Sequence, residues 1–156
     1  MQTDQASVAH TGTFELGVPP TLAIHLFTAP GERRWVDGWD PEILSGDGTA
    51  EGTVFTTSHG GETTIWVVVD FDERGYRARY ARLTPGSRAG TVEVRLRDNG
   101  DGGSTVTVTY ELTSLSESGR RNLHHFNADA YAQMLVDWRT LILAADIDYE
   151  ALGGRQ

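Results

Sequence analysis

The side chains that could take part in chemistry in this chain are those of His, Asp, Glu, Tyr, Ser, Thr and Arg. The 156 residues include no cysteine, and all 13 basic residues are arginine, so lysine is absent as well. Thiolate nucleophiles, disulfides and zinc–thiolate sites are thereby excluded, as is a Schiff base on an unmodified side chain. Proton transfer, hydrogen bonding and ion pairing remain available.

The five histidines show no spacing that is typical of a metal site, and the sequence predicts none. No HxH, HxxxH or HExxH pattern occurs. His124 and His125 would point about 100° apart on a helix, so they would not face one ion together. Either could act as a general base beside a cavity, because imidazole exchanges protons near neutral pH. Solvent-facing or capping roles are the more ordinary interpretation.

Motifs of the hydrolase and nucleotide-binding classes are missing from the sequence. No GxSxG elbow, P-loop or dinucleotide fingerprint occurs. The glycines of residues 100–103 lie in a turn between two strands, whereas a phosphate cradle forms between a strand and a helix. The sequence therefore predicts no cofactor.

The charge balance is acidic, with 22 acidic and 13 basic residues and a net charge of −9. The negative electrostatic field of such a chain repels phosphate backbones and anionic lipid surfaces, so we expect neither a nucleic acid nor a membrane as partner. No apolar run approaches the roughly 20 residues that span a bilayer, and residues 1–10 lack the regions of a signal peptide. A cytoplasmic location is the expectation.

Residues 74–97 depart from this balance, because they hold seven arginines and a single acid, Glu93. On a sheet this stretch would form a basic face. Ion pairs with acids of neighbouring strands are one interpretation. An anionic partner or a homodimer contact is the alternative.

Most of the chain is predicted to form antiparallel strands. Residues Ala9–Val18 alternate as a half-buried strand, after which Thr21 can cap a short helix, and a second helical turn fits residues 32–36. Residues 39–52 are typical of a loop. Five further strands separated by glycine-rich turns are predicted at Gly52–Thr57, Thr63–Phe71, Tyr76–Leu83, Thr91–Arg97 and Thr105–Leu115. Apolar residues at three- and four-residue spacing then predict one uninterrupted amphipathic helix from about Gly119 to Ile147.

The turn at Pro85-Gly86 sets the facing of the neighbouring strands. Pairing outward from it places Tyr80 and Arg82 on the apolar face that carries Val92. A buried arginine needs a carboxylate or an anionic group of a ligand. The alternative is that Arg82 lies at the strand end, reaches water and pairs with a surface acid.

The facing of Trp66 depends on the turn that follows its strand, because residues 65–69 are all apolar. A three-residue loop with Gly75 as a bulge would place Trp66 and Val68 inside. A loop of two or four residues would place Ile65 and Val67 there instead. We favour the arrangement with Trp66 inside.

Several strings in the sequence resemble the START-like superfamily, the SRPBCC group that includes polyketide cyclase/dehydrase-like, birch-pollen-allergen-like and lipid-transport proteins. They are ERRWVDGWDP at residues 32–41, GTVF at 52–55, TPGS at 84–87 and the stretch 106–119 that runs into the last helix. The order of elements, from residue 8 to residue 147, is also similar. The resemblance implies an α+β, helix-grip fold, in which a curved antiparallel sheet wraps around a long C-terminal helix and two short helices follow the first strand.

The same resemblance implies an internal cavity for an apolar or amphipathic molecule. A single domain is expected over residues 6–149, with flexible tails at residues 1–5 and 153–156. Residues predicted to contact a ligand, which could equally form an ordinary packed core, are Trp35, Phe55, Trp66, Tyr80, Arg82, Tyr110, Phe126, Ala130 and Met134.

Three functions fit this sequence. The first is binding of a small hydrophobic or aromatic ligand, lipid-like or polyketide-like, between the sheet and the last helix. The second is a polyketide cyclase or dehydratase in which a His or Tyr of the same pocket moves protons, although no dedicated catalytic motif is present. The third is a stress or co-chaperone type of interaction protein that uses the basic face.

Overall fold

Alternating apolar and polar residues form a seven-stranded antiparallel sheet in the computed structural model, which describes residues 6–152. The predicted tails at residues 1–5 and 153–156 lie outside the described residues. The strand order is β1-β7-β6-β5-β4-β3-β2. The strands are β1 (Ser7–Leu16), β2 (Glu42–Ser45), β3 (Val54–His59), β4 (Glu62–Asp72), β5 (Arg77–Thr84), β6 (Arg88–Asp98) and β7 (Ser104–Ser114).

The helical elements lie in two groups, one after β1 and one after β7. The first group is α1 (Pro20–Ala23), a 3-10 helix (Ile24–Phe27) and α2 (Ala29–Glu32), and the second is α3 (Glu117–His125), α4 (Ala128–Ala144) and α5 (Tyr149–Leu152). No helix within residues 6–152 is both long and apolar enough to cross a bilayer. This arrangement confirms the predicted helix-grip architecture.

The six predicted strands are present with ends shifted by a few residues, whereas β2 was not predicted. It lies in the stretch 39–52 that the glycines mark as a loop, and all four of its residues are exposed. A strand this short at the edge of a sheet carries no alternation of buried residues by which it could be recognised.

The core lies between the concave face of the sheet and the helices. The predicted pairing across Pro85-Gly86 is confirmed, because Tyr80 lies opposite Val92 and Ala78 opposite Val94. All four of these side chains are buried. Side chains of the 3-10 helix close the core on the same side of the sheet.

The predicted single helix over Gly119–Ile147 is wrong, because two helices, α3 and α4, occupy this stretch. Phe126, with φ −91° and ψ 58°, leaves the helical conformation. Asn127 then caps α4, and its side chain accepts a hydrogen bond from the Ala130 amide at 2.9 Å. The break changes which residues face the sheet, and α4 buries Tyr131, Leu135 and Ile142.

Trp66 faces the interior, as we favoured, but for a different reason. Asp72 pairs with Arg77, so the turn between β4 and β5 has four residues, and that length alone would place Ile65 and Val67 inside. A β-bulge at Val69 reverses the facing upstream of it, and Trp66 comes to lie opposite Arg82. Trp66 and Val68 are accordingly buried.

Candidate ligand-binding cavity

A cavity of about 330 Å³ lies between the concave face of the sheet and the helical elements. Strands β3 to β7 form its floor, α2 and residues 36–39 cover it, and Trp138 of α4 closes one end. Exposed residues of the β3–β4 turn, among them Ser58 and His59, lie at its mouth. The cavity is therefore assembled from both helical groups and most of the sheet.

Three aromatic rings form one wall of this cavity, and each is fixed by its neighbours. The rings of Phe55 and Trp66 stack with centroids 5.8 Å apart and an interplanar angle of 4°. Trp39 contacts both edge-on, at 6.1 and 5.9 Å. The indole of Trp66 donates to the Thr57 hydroxyl at 3.0 Å. This wall offers a rigid apolar surface to a molecule in the cavity.

Arg82 brings an uncompensated positive charge into the cavity. Its guanidinium carbon lies 5.0 Å from the centroid of the Trp66 ring, and Nη2 donates to the Thr84 hydroxyl at 3.2 Å. The buried Nε has no hydrogen-bond partner, and among residues 6–152 no carboxylate lies within ion-pair distance of this side chain. Burial lowers the pKa of the Arg82 guanidinium. An anion is the group that such a cation lacks.

A second arginine near the mouth is already neutralised. Arg88 pairs with Glu62 through two contacts of 3.3 Å and also donates to the Ser87 hydroxyl at 2.8 Å. Because this pair cancels its own charge, Arg82 remains the uncompensated cation among the described residues that line the cavity.

Glu32, the last residue of α2, presents an unpaired carboxyl group to the same cavity. It has no hydrogen bond or ion pair with another described residue. Its side chain is half-buried and lines the cavity. This burial raises the pKa of Glu32 to about 8. The carboxyl is therefore largely protonated at neutral pH and can donate a hydrogen bond.

Two tyrosines line the cavity, and only one is free to contact a ligand through its hydroxyl. The Tyr80 hydroxyl donates to the carbonyl oxygen of Phe27. The Tyr110 hydroxyl has no partner among the described residues, and burial raises its pKa to about 12. Tyr110 is therefore a neutral hydrogen-bond donor available to a molecule in the cavity.

The structure brings together five of the nine residues predicted to contact a ligand, and these five line the cavity: Phe55, Trp66, Tyr80, Arg82 and Tyr110. Four do not line it. Trp35 is buried and donates to the Leu26 carbonyl oxygen at 2.9 Å. Phe126 and Met134 are half-buried against the core, and Ala130 is exposed. Of the apolar stripe predicted for this helical segment, Trp138 lines the cavity.

Glu32 and Trp39 line the cavity but were not predicted as site residues. Glu32 precedes Arg33 and Arg34, so the sequence suggests a charged surface turn. The capping of α2 at Thr28, whose hydroxyl accepts from the Gly31 amide at 2.9 Å, fixes the helical turn that carries it. Trp39 could have been recognised as a site residue, because a tryptophan in a predicted loop usually packs against other parts of the protein.

His59 lies at the mouth of the cavity, whereas His10, His124 and His125 do not line it. His124 and His125 are exposed, and the ring of His125 hydrogen-bonds the Arg121 carbonyl oxygen. The ring of His10 hydrogen-bonds the Phe126 carbonyl oxygen at 2.7 Å. Within the described part of the chain, no group of three metal-ligating side chains is close enough to hold an ion.

Three of the seven arginines of residues 74–97 form ion pairs on the sheet. Arg77 contacts Asp70 of the neighbouring strand at 2.6 Å, and Arg95 contacts Glu93 of its own strand at 3.3 Å. Together with the Arg88 pair, these contacts agree with the ion-pair interpretation for three arginines of the basic face.

A second hollow, of about 620 Å³, lies between β1 and α4, and two of its polar groups are bound to backbone carbonyl oxygens. The Tyr131 hydroxyl donates to the Val108 carbonyl oxygen, and Arg139, which is exposed, donates to the Glu15 carbonyl oxygen at 2.8 Å. The aromatic-walled cavity is the better candidate for a site, because it contains a buried arginine nitrogen without a partner among the described residues.

Solved structures with the same fold differ widely in sequence. Ara h 8.0201 has a TM-score of 0.65 and 16% identity, with 87% of this chain and 95% of that chain covered. Norcoclaurine synthase from Thalictrum flavum, in complex with dopamine and hydroxybenzaldehyde, has a TM-score of 0.63 and 12% identity, with 90% and 88% covered. The Mll3558 protein from Rhizobium loti has a TM-score of 0.60 and 20% identity, with 85% and 95% covered.

No curated protein sequence matches this chain. The family model described as polyketide cyclase / dehydrase and lipid transport matches residues 7–139, which includes every strand and most of α4. The resemblance to the START-like superfamily is confirmed by this match and by the shared fold. The chain is thus a member of the polyketide cyclase / dehydrase and lipid transport family.

Proposed function

We propose that this protein binds a small hydrophobic or aromatic molecule in the cavity between the sheet and the C-terminal helices. The observation that carries the proposal is an aromatic-walled cavity of about 330 Å³ in which the Glu32 carboxyl, the Tyr110 hydroxyl and Nε of Arg82 have no hydrogen-bond partner among the described residues. This volume is at the lower end of the roughly 300 to 1,000 Å³ that is typical of small-molecule sites. A ligand of one to three rings suits it.

Two kinds of contact would hold such a ligand. Burial of its apolar surface against Phe55, Trp66 and Trp39 would supply most of the free energy, at about 25 cal/mol per Å². Hydrogen bonds from Tyr110 and Arg82 would fix its orientation. The complex of norcoclaurine synthase with dopamine and hydroxybenzaldehyde supports this proposal, because it is an aromatic complex on the same fold.

A cyclase or dehydratase that uses the same cavity is the second candidate, and Glu32 is the observation that favours it. A carboxyl group whose pKa is raised to about 8 can give a proton to a carbonyl or hydroxyl oxygen of a substrate near neutral pH. If the protein is such an enzyme, Glu32→Gln abolishes turnover of an aromatic polyketide without abolishing its binding. Binding without turnover in the wild type favours the first candidate.

The proposal is tested by native mass spectrometry with a panel of fatty acids, flavonoids and aromatic polyketides. Val92→Phe places a ring in the cavity, whereas Val136→Phe makes the same change at an exposed position of α4 beside the second hollow. We expect the wild type and Val136→Phe to retain a ligand, and Val92→Phe to lose it. Circular dichroism establishes that both variants are folded. If no ligand is retained by the wild type, or if Val92→Phe retains it equally, the proposal is wrong.

A further inference from the structure

We infer that the ligand of this cavity is a planar aromatic molecule carrying a carboxylate, and that the carboxylate docks on Arg82. The inference rests on the proposed function and narrows it to one chemical class. Three features of the cavity carry it: the donors that Arg82 leaves unused, the positions of the surrounding acids, and the aromatic wall beside the guanidinium.

Arg82 has more hydrogen-bond donors than the protein uses. Of its three nitrogens only Nη2 has a partner, the Thr84 hydroxyl at 3.2 Å. Nε is buried and unpaired, and Nη1 is unpaired but keeps accessible surface at the cavity. A guanidinium presents its N–H groups in a planar fork that matches the two oxygens of a carboxylate. A neutral ligand with one acceptor oxygen would leave part of this fork unsatisfied.

Residues 6–152 supply no anion of their own at this point. The nearest acid that influences Arg82 is Glu62, and its carboxylate is engaged by Arg88 at 3.3 Å. Glu32 lines the same cavity, but burial favours its neutral form, so it would not repel an anionic ligand at neutral pH. The charge that balances Arg82 is therefore expected to arrive with the ligand.

The wall beside Arg82 determines the rest of the ligand. Trp66 contacts the guanidinium through its ring face and stacks on Phe55, so the apolar surface begins directly next to the charge. The Tyr110 hydroxyl lines the same cavity and has no hydrogen-bond partner among the described residues, so it is a further donor for the carboxylate. A carboxylate attached directly to a flat ring fits this juxtaposition.

The test compares carboxylates with their neutral amides of the same shape. Calorimetry at pH 7 would measure the affinities of benzoate, 2-naphthoate and 2-anthracenecarboxylate, and of the three matching amides. We expect at least one carboxylate to bind about 10- to 100-fold more tightly than its amide, which is the effect of a buried charged hydrogen bond. If no carboxylate exceeds its amide in wild-type protein, the inference is overturned.

Variants of β5 assign the effect to Arg82. Arg82→Met should reduce carboxylate affinity about 10- to 100-fold and leave amide affinity unchanged, whereas Arg79→Met, on the exposed side of the same strand, should change neither. An equal loss for carboxylate and amide in Arg82→Met would show a packing role and overturn the docking. If the amides bind as well as the carboxylates, the proposed function stands and the carboxylate inference is wrong. If none of these compounds and no member of the wider panel binds, both the proposed function and the inference are wrong.

Discussion

Glu32, an acid, and Arg82, a base, line the same cavity. Neither has an ion-pair partner among the described residues. Burial opposes the charged form of each, so it raises the pKa of Glu32 and lowers that of Arg82. An interior built only for stability would pair such groups or replace them with apolar residues. Their retention without partners is typical of a functional site.

Stability should depend on pH through Glu32. Its pKa is raised from an ordinary value of 4.5 to about 8 in the folded protein, so the folded state binds the proton more tightly than the unfolded chain. This contribution to stability is fully present below pH 4.5 and is lost as the pH rises from 4.5 to 8. We expect Glu32→Gln, which is neutral at every pH, to be more stable than the wild type by about 2 kcal/mol at pH 8.5, roughly half of the full effect of the shift, because solvent partly screens this half-buried side chain. Urea unfolding at pH 5.5, 7.0 and 8.5 measures this difference.

The control for this experiment is Glu42→Gln, which makes the same change on the exposed strand β2. Tyr80 and Tyr110, whose pKa values Glu32 helps to raise, face Glu32 and stay protonated throughout this range, so they do not contribute to the slope. Asp37 also lines the cavity but is exposed to solvent. A stability difference that is the same at all three pH values would contradict the assignment to Glu32.

The sequence predicts the inward-facing residues well where a tight turn fixes the register. Tyr80 and Arg82 follow from the turn at Pro85-Gly86, because the pairing of β5 with β6 has no irregularity. Glu32 does not follow, because a four-residue helix has no periodicity from which its facing can be read. Its position depends on how α2 packs over the sheet, which is a tertiary contact.

Two local irregularities, a β-bulge and a helix break, determine which side chains line the cavity. The bulge at Val69 turns Trp66 inward although the turn after β4 has four residues. The break at Asn127 ends the apolar stripe that α3 would otherwise continue. Neither is visible in the alternation of apolar residues, since residues 65–69 are all apolar and Asn127 stands within a helical pattern without proline. The existence of six strands was predictable, but their irregularities were not.

The cap at Asn127 should be measurable in the stability of the protein. Its side chain satisfies the Ala130 amide at the start of α4, so Asn127→Ala leaves that donor without its partner. We expect a loss of about 1 kcal/mol in the free energy of unfolding. The matched control is Asn122→Ala on the exposed side of α3. Urea unfolding followed by circular dichroism compares the two, and equal stabilities would show that the cap does not stabilise α4.

For the molecule as a whole, the sheet provides a fixed floor and the loops provide the mouth. Strands β4 to β7 are long and paired on both sides, and their inner faces are buried. Asp37, together with Ser58 and His59 at the end of β3, carries an exposed side chain at the edge of the cavity. Backbone amides in such segments open more readily than those of central strands. A ligand that enters between them should therefore order the mouth more than the floor.

Hydrogen exchange with mass spectrometry tests where the ligand acts. With a bound aromatic carboxylate, we expect slower exchange at residues 36–39 and 58–62, because contacts across the mouth restrict local opening. Exchange in β1, which lies at the far edge of the sheet, should not change. Val92→Phe, which fills the cavity, should show no ligand-dependent protection at all. Protection concentrated in β1 and α4 would instead place the ligand in the second hollow and contradict the assignment of the aromatic-walled cavity.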